Sequence, residues 1–215
     1  MAGGTRRWSD IERALRRAGG PLIAGLDEVG RGSLAGPVVA CAIIMPPADR
    51  AIRGVDDSKV LSAAERRRLD AVIRERALAF ALGAASAREI DAINIHQATA
   101  LAMRRALARL RVRPDHLLVD GPPMRALAVE HVGVVDGDAK CYGIACASIV
   151  AKVARDRLLA RLARRHPHYA WERNAGYGTA QHFDAIARVG VTAHHRRTFL
   201  RPEGPARGES TEARA

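Results

Sequence analysis

Five short apolar segments, separated by segments with a helical periodicity, restrict the fold of this chain more than any other feature. The apolar segments are partly β-branched, as buried strands are, and they comprise residues 22–26, 38–45, 78–85, 117–119 and 132–135. Helical patterns comprise residues 5–18, 62–76, 95–110, 144–164 and 180–189, with capping boxes at Ser9–Glu12 and Ser62–Glu65. Strands come first and then alternate with helices. We therefore predict an α/β domain with a mixed sheet flanked by helices and with a helical C-terminal part.

The chain has three predicted parts. Its 215 residues suit one domain with a full hydrophobic core. Gly19, Gly20 and Pro21 interrupt the helical pattern before the first strand, and residues 201–215 lack any periodicity. We predict an N-terminal helical extension over residues 1–20, one main domain over residues 21–200 and a disordered tail over residues 201–215.

Apolar runs and cysteines indicate the compartment. The longest uninterrupted apolar run, residues 38–45, is far shorter than the roughly 18 residues that a membrane span needs. The N-terminus has no apolar core of a signal peptide, and three cysteines without CxxC spacing argue against disulfide frameworks and structural zinc sites. We expect a cytoplasmic protein with no membrane partner.

The charge distribution indicates an anionic partner. Lys and Arg number 35 against 23 Asp and Glu, a net charge of +12. The excess lies at the ends, with +3 in residues 1–20 and +7 in residues 150–215, and only +2 between them. This pattern favours nucleic acid, although a merely basic surface is an equally open interpretation. Aromatic residues make up only 4% of the chain, which disfavours a protein that stacks the bases of single strands.

Acidic residues stand where three of the predicted strands stop. Asp27 and Glu28 follow the first strand, Asp120 follows the fourth, and Asp136 and Asp138 follow the fifth. Strand ends in an α/β sheet point into the crevice where such folds bind ligands. Converging carboxylates repel unless hard cations neutralise them, and no His or Cys near them has a metal-binding spacing, so Mg²⁺ or Mn²⁺ is favoured over zinc. The alternative is that each acid merely caps a helix or a turn.

Two loops carry groups suited to phosphate or sugar. Gly30-Arg31-Gly32 exposes backbone N–H groups, and Asp57-Ser58-Lys59 offers a hydroxyl group and a point charge. Either segment alone is also typical of an ordinary turn.

Taken in order, these segments resemble one family, the bacterial type 2 ribonucleases H (ribonuclease HII), over about residues 21–199. The matching stretches are GLDEVGRGSLAGPVVACAII (25–44), DDSKVLS (56–62), NIHQAT (94–99), LLVDG (117–121), GDAKCYGIACASIVAKVARD (137–156), GYGTAQH (176–182) and HHRRTF (194–199). The resemblance implies a ribonuclease H-like catalytic domain over residues 21–200. It implies a monomeric endoribonuclease that cuts RNA in RNA–DNA hybrids and single ribonucleotides in duplex DNA. The cut would lie 5′ to the ribonucleotide, leave a 3′-OH and a 5′-phosphate by a two-metal mechanism with Mn²⁺ or Mg²⁺, and serve ribonucleotide removal from DNA.

The resemblance also implies roles for individual residues. The metal-binding and catalytic acids would be Asp27, Glu28, Asp120 and Asp138. The 2′-OH and its phosphate would be sensed by Gly30, Arg31 and Gly32, and Tyr177 would pack on the deoxyribose that follows. The substrate would be lined, or the site braced, by Ser58, Lys59, His195, Arg196 and Arg197. Two departures from the family pattern stand out: Ala175 replaces a frequent Lys, and Asp136 replaces a common basic residue and could compete with Asp138 for metal.

Two other functions fit parts of the pattern. One is another carboxylate nuclease of the same fold, such as a junction resolvase or a 3′–5′ exonuclease. The other is a basic nucleic-acid-binding domain with incidental acids. Metal-dependent cleavage that is lost in Asp27→Asn would exclude the binding domain, and a requirement for a ribonucleotide would exclude the other nucleases.

Overall fold

A computed structural model of the chain describes residues 8–200. The predicted tail over residues 201–215 lies outside the described residues, as do residues 1–7 of the predicted N-terminal extension. No helix within residues 8–200 is long and apolar enough to cross a membrane.

Five strands form one mixed sheet in the order β3-β2-β1-β4-β5. The strands are β1 (Ile23–Val29), β2 (Val38–Ile44), β3 (Ala79–Ala85), β4 (His116–Asp120) and β5 (Val132–Val134). β1, β2 and β3 form an antiparallel meander, whereas β4 and β5 run parallel to β1. The predicted mixed sheet is confirmed.

Seven α-helices accompany the sheet in the described part of the chain. They are α1 (Asp10–Arg17), α2 (Ala63–Arg76), α3 (Ala87–Ala108), α4 (Gly137–Lys140), α5 (Tyr142–Arg165), α6 (Trp171–Asn174) and α7 (Ala180–Val189). Short 3₁₀ turns comprise Arg125–Leu127, Pro167–Tyr169 and Arg197–Phe199. Both predicted capping boxes are confirmed, and Ser86 with Glu89 forms a third one at α3. α4 and α6 are single turns, too short to show a periodicity.

The sheet is covered on both faces. Alternate residues of β2 pack against α3 on one side and against α2 and α5 on the other. Two glycines allow the helices to approach closely. A Cβ on Gly83 would lie 2.0 Å from the Ala102 carbonyl oxygen of α3, and one on Gly25 would lie 2.2 Å from the Gly143 carbonyl carbon of α5. The start of α5 therefore rests directly on the central strand.

Strand β1 is longer than predicted, and this corrects the position of two acids. The apolar run ends at Leu26, but β1 continues to Val29 because β2 pairs with it as far as Val39. Asp27 and Glu28 therefore lie within the strand rather than after it.

Helix α3 also differs from the prediction, which began it at residue 95. It starts at Ala87 and is interrupted at Asn94, whose φ of 64° is left-handed. The Asn94 side chain accepts a hydrogen bond from the Gln97 N–H, so it caps the second segment, which is the part that the apolar spacing revealed.

Candidate active site

Four carboxylates line one cavity of about 430 Å³ at the end of β1 and β4, and they are Asp27, Glu28, Asp120 and Asp138. Asp27 and Asp120 come together because of the strand register. Leu26 pairs with Val119 in the parallel β1–β4 ladder, so the next residue on each strand is an acid on the same face of the sheet. Asp138 reaches the cavity from α4, which follows β5.

Burial and mutual repulsion raise the pKa values of three of these acids. Burial raises the pKa of Asp27 well above its ordinary value, and the charges of Glu28 and Asp120 add to this, whereas a hydrogen bond from Ser148 opposes it. Burial also raises the pKa of Glu28 and of Asp120, the latter further through the charge of Asp138. The surroundings of these three acids therefore disfavour their ionised forms when no cation is bound.

Two cations pair with these acids in the structure. Lys59 Nζ lies 2.9 Å from Asp138 Oδ2, and Arg31 Nη1 lies 3.3 Å from Glu28 Oε1. Asp120 Oδ1 accepts a hydrogen bond of 2.7 Å from the Gly137 N–H, which ties the end of β4 to the start of α4.

Asp136, the possible competitor of Asp138, lies elsewhere. Its side chain is 71% exposed and pairs with Lys140 at 3.5 Å, and it does not line the cavity. Its backbone has a left-handed φ of 55°, which turns the chain between β5 and α4. The structure thus brings Asp138, rather than Asp136, to the other acids.

The donor chemistry of the cavity fits a hard divalent cation. Carboxylate oxygens are the ligands that Mg²⁺ and Mn²⁺ prefer, and a bound cation would offset the burial and the mutual repulsion that raise the pKa values of these acids. Within residues 8–200, no three His, Cys, Asp or Glu side chains already stand in a metal-binding arrangement. In this structure two of the four acids, Asp138 and Glu28, pair with Lys59 and Arg31.

The predicted glycine loop borders the same cavity, and its two glycines serve different purposes. Gly30 has a φ of 91°, and a Cβ there would lie 2.1 Å from Arg155 Nε, so this glycine makes room for a side chain behind the loop. Gly32 lines the cavity, and a Cβ there would meet only Tyr177 Cε1, at 3.9 Å. The Tyr177 ring is 40% exposed and stands across from Gly32.

Polar groups that the motif analysis did not assign complete the wall: Arg66, Ser148 and Lys152. Ser148 Oγ lies 2.9 Å from the Oγ of Ser58, one of the predicted substrate-binding residues, and it also forms a hydrogen bond with Asp27. Ser148 and Lys152 are four residues apart on α5 and so share one face of the helix. Residues 142–154 of α5 are otherwise apolar, so two polar residues at this spacing are the signal that could have identified them.

Of the two roles predicted for Arg196, lining the substrate or bracing the site, its position in the structure fits the second and not the first. It is fully buried, and its guanidinium donates hydrogen bonds of 2.6 Å to the carbonyls of Gly30 and Arg31 and of 3.0 Å to that of Gly36. Arg196 therefore braces the glycine loop from behind. Arg197 is exposed and does not line the cavity, and its backbone N–H donates to Asp91.

Arg155 is a second buried brace, and sequence reasoning missed it. Its guanidinium donates to the carbonyls of Ala35, Pro37 and Ala175 and to Ser33 Oγ. No ion pair joins Arg155 or Arg196 to a carboxylate in the described part of the chain. Apart from the Ala175 carbonyl, the carbonyls that the two guanidiniums bond all lie within residues 30–37, so these side chains hold the shape of that segment.

A larger cavity, of about 750 Å³, lies at the opposite end of the strands, where β4 and β5 begin. Its lining includes His116 and Val132, the first residues of β4 and β5. Ligand sites in open α/β sheets lie at the carboxyl ends of the strands. The chemistry of the lining, rather than the size of the cavity, therefore favours the carboxylate cavity.

Comparisons of sequence agree on one family. The family model described as Ribonuclease HII matches residues 24–203. The chain is 53% identical over 193 residues to a ribonuclease HII of Granulibacter bethesdensis, which covers 87% of each chain. It is 50% identical over 192 residues to a ribonuclease HII of Thermosynechococcus vestitus, which covers 88% of this chain and 89% of the relative.

Solved structures share the fold. A ribonuclease H2 from Pyrococcus horikoshii matches with a TM-score of 0.71 and 24% identity over 83% of this chain and 94% of that one. A Bst ribonuclease HIII, described as a complex with Mn²⁺, matches with a TM-score of 0.62 and 20% identity over 82% of this chain and 65% of that one. The predicted ribonuclease H-like sheet is thereby confirmed.

Proposed function

This chain belongs to the ribonuclease HII family and is a ribonuclease H hydrolase, and we propose that it hydrolyses the RNA strand of RNA–DNA hybrids. We further propose that it cuts 5′ to a single ribonucleotide in duplex DNA and leaves a 3′-OH and a 5′-phosphate. Its role would be ribonucleotide removal in the cytoplasm, by a monomer. The observation that carries this proposal is the meeting of four acids, the glycine loop and Tyr177 around one cavity.

The acids are proposed to hold the metal. Asp27, Glu28, Asp120 and Asp138 would bind Mn²⁺ or Mg²⁺, which when bound activates a water molecule and stabilises the leaving oxygen. The hydrogen bond from Ser148 favours the ionised form of the buried Asp27 and partly offsets the rise in its pKa. The Gly137 N–H does the same for Asp120 and orients its carboxylate toward the cavity.

The loop and Tyr177 are proposed to select the ribonucleotide. The 2′-OH is the group that separates a ribonucleotide from its neighbours, and backbone groups can approach it closely at Gly32, where no side chain intervenes. Polar groups built to bind a hydroxyl group reject a nucleotide that lacks it, because they are left unpaired. The Tyr177 ring, on the other side of Gly32, offers a flat surface for the following deoxyribose.

The lining cations are proposed to bind phosphate. Lys59 is attached to Asp138 by its ammonium group while most of its side chain is exposed, so it lies at the rim of the cavity. Ser58 is held by Ser148 and lies deeper. Together they supply a hydroxyl group and a point charge beside the acids.

Cleavage of a duplex that contains one ribonucleotide tests this function. We expect a cut 5′ to the ribonucleotide with Mg²⁺ or Mn²⁺, and no cut in the matched all-DNA duplex. Asp27→Asn and Asp120→Asn should abolish cleavage but retain duplex binding, because they remove ligand charge and keep the shape. Cleavage of the all-DNA duplex, or an active Asp120→Asn variant, would contradict the proposal.

Tyr177→Ala separates recognition from chemistry. We expect it to slow cleavage at a lone ribonucleotide more than cleavage within a long RNA–DNA hybrid, since only the former offers a deoxyribose next to the cut. Equal losses on the two substrates would show that Tyr177 is structural.

A further inference from the structure

A second cavity, of about 360 Å³, adjoins the carboxylate cavity along helix α5. It lies between α2, α5 and α6, and we name it the α2–α5 groove. The two cavities share Arg66 and Lys152 as lining residues. The groove and the carboxylate cavity are therefore neighbouring parts of one continuous surface.

The α2–α5 groove is strongly basic. Five cations line it: Arg66, Arg67, Lys152, Arg157 and Arg173. Only two acids do, and both are already paired, Asp156 with Lys152 at 2.7 Å and Glu172 with Arg173 at 3.6 Å.

The cations are also placed to contact a ligand in solvent. The side chains of Arg157 and Arg173 are 53% and 68% exposed, although Arg157 also pairs with the buried Asp70 at 3.3 Å, and Arg67 is exposed in the first half of α2. No carboxylate of the described residues forms an ion pair with Arg67. Flexible, exposed arginines suit the phosphates of an extended polyanion rather than a small enclosed anion.

We propose that the α2–α5 groove binds backbone phosphates of the substrate duplex on one side of the cleaved bond. This inference rests on the proposed function and names a further part of its substrate site. Continuity with the carboxylate cavity favours the duplex over another partner, because one polyanion occupying the cavity extends along the shared wall. Contacts of this kind position the duplex and do not depend on base sequence.

The test compares two double variants of equal charge change. Arg67→Gln with Arg173→Gln removes two groove cations, and Arg68→Gln with Arg188→Gln removes two exposed cations that do not line the groove. Affinity is measured by fluorescence anisotropy with an all-DNA duplex and with a ribonucleotide-containing duplex, the latter in an Asp27→Asn background. The flank on each side of the ribonucleotide is shortened in turn.

We expect the groove variant to bind about tenfold more weakly and to lower the slope of log affinity against log salt by about 2, which corresponds to two lost phosphate contacts. Wild-type affinity should fall when one particular flank is shortened, and the groove variant should be insensitive to that shortening. The control variant should behave as the wild type.

Equal effects of the two double variants, or no flank dependence, would overturn the inference. Unchanged duplex binding by the groove variant would likewise overturn it and leave the groove to another partner, such as an acidic protein. Binding to the all-DNA duplex is read without cleavage, so failure of the groove is distinguishable from failure of the proposed nuclease activity.

Discussion

Asp136 and Asp138 are close in sequence but lie in opposite environments, and only one of them faces the other acids. They are two residues apart in sequence, but only Asp138 faces Asp120, whose pKa its charge raises, whereas Asp136 is exposed and pairs with Lys140. The Gly137 N–H, at the start of α4, donates a hydrogen bond to Asp120. This contact brings the next residue, Asp138, to the cavity side.

We predict that Asp138→Asn lowers the cleavage rate by at least ~10–100-fold. Loss of a group that merely supports a metal ligand already costs that much. Asp136→Asn should remain near wild type, because it removes only an exposed ion pair. Single-turnover cleavage of the ribonucleotide duplex measures both. The reverse order would show that Asp136 is the ligand.

Arg196 and Arg197 form a second pair of neighbours with opposite environments. The Arg196 guanidinium satisfies three loop carbonyls in the interior, and burial lowers its pKa, whereas Arg197 is exposed. Removing Arg196 leaves buried carbonyls without donors.

We predict that Arg196→Met lowers the free energy of unfolding by about 3 kcal/mol, from several unsatisfied carbonyls at roughly 1 kcal/mol or more each. Arg197→Met should change it little. Urea denaturation measures both. Equal losses would mean that the hydrogen bonds of Arg196 do not hold the loop.

At the scale of elements, Glu12 joins helix α1 to helix α5. Its buried carboxylate closes the capping box at Ser9 and also accepts hydrogen bonds from the N–H groups of Tyr142, at 3.2 Å, and Gly143, at 2.8 Å. These are the first two residues of α5, so Glu12 caps the helix that carries Ser148, Lys152 and Arg155.

We predict that Glu12→Ala destabilises the protein by about 2 kcal/mol, since it leaves buried N–H groups of two helices unpaired. Glu65→Ala is the matched control, because Glu65 closes the same kind of box at an exposed site. It should cost clearly less. Thermal or urea unfolding that ranks the two variants equally would contradict the second capping role.

Four histidines around α6 and α7 join the C-terminal elements. His182 accepts a hydrogen bond from Trp171 and donates one to the Tyr177 carbonyl, and its Nε2 lies 3.1 Å from His195 Nε2. His195 accepts one from the Thr192 N–H. Burial, together with neighbouring His182, His166 and His194, lowers the pKa of His195 to about 4, so His195 is held neutral.

The lowered pKa of His195 makes the protein less stable as the pH falls below neutrality. The unfolded chain takes up a proton near pH 6.5 and the folded chain only near 4, so stability is complete above about pH 6.5 and falls toward pH 4. We predict that wild type loses about 2 kcal/mol more than His195→Asn between pH 7 and pH 5. His168→Asn, at an exposed position, should lose as much as wild type. Urea unfolding at the two pH values measures this, and equal pH dependence in all three would contradict the prediction.

At the scale of the whole molecule, the net charge of +12 should govern binding. Hybrid affinity should fall steeply with salt, since phosphate contacts release counterions. Deleting residues 202–215, which hold three Glu and two Arg, removes a net charge of only −1. We therefore expect cleavage and salt slope near wild type after this deletion. A large loss of either would show that the tail contributes to binding.

Local signals in the sequence were sufficient for much of the fold. Apolar runs located all five strands, and the capping boxes at Ser9 and Ser62 located two helix starts, because a cap and a buried run depend on neighbouring residues. The four acids, the glycine loop and Tyr177 were identified from motifs, and all of them line the cavity, as do Ser58 and Lys59.

Tertiary structure alone decided the rest, because it depends on contacts between distant parts of the chain. The extension of β1 through Asp27 and Glu28 comes from pairing with β2. The approach of Asp27 to Asp120 comes from the parallel register of β1 and β4. Arg155 and Arg196 are buried because they donate hydrogen bonds to carbonyls more than a hundred residues away in the chain. A local sequence pattern cannot indicate such distant partners.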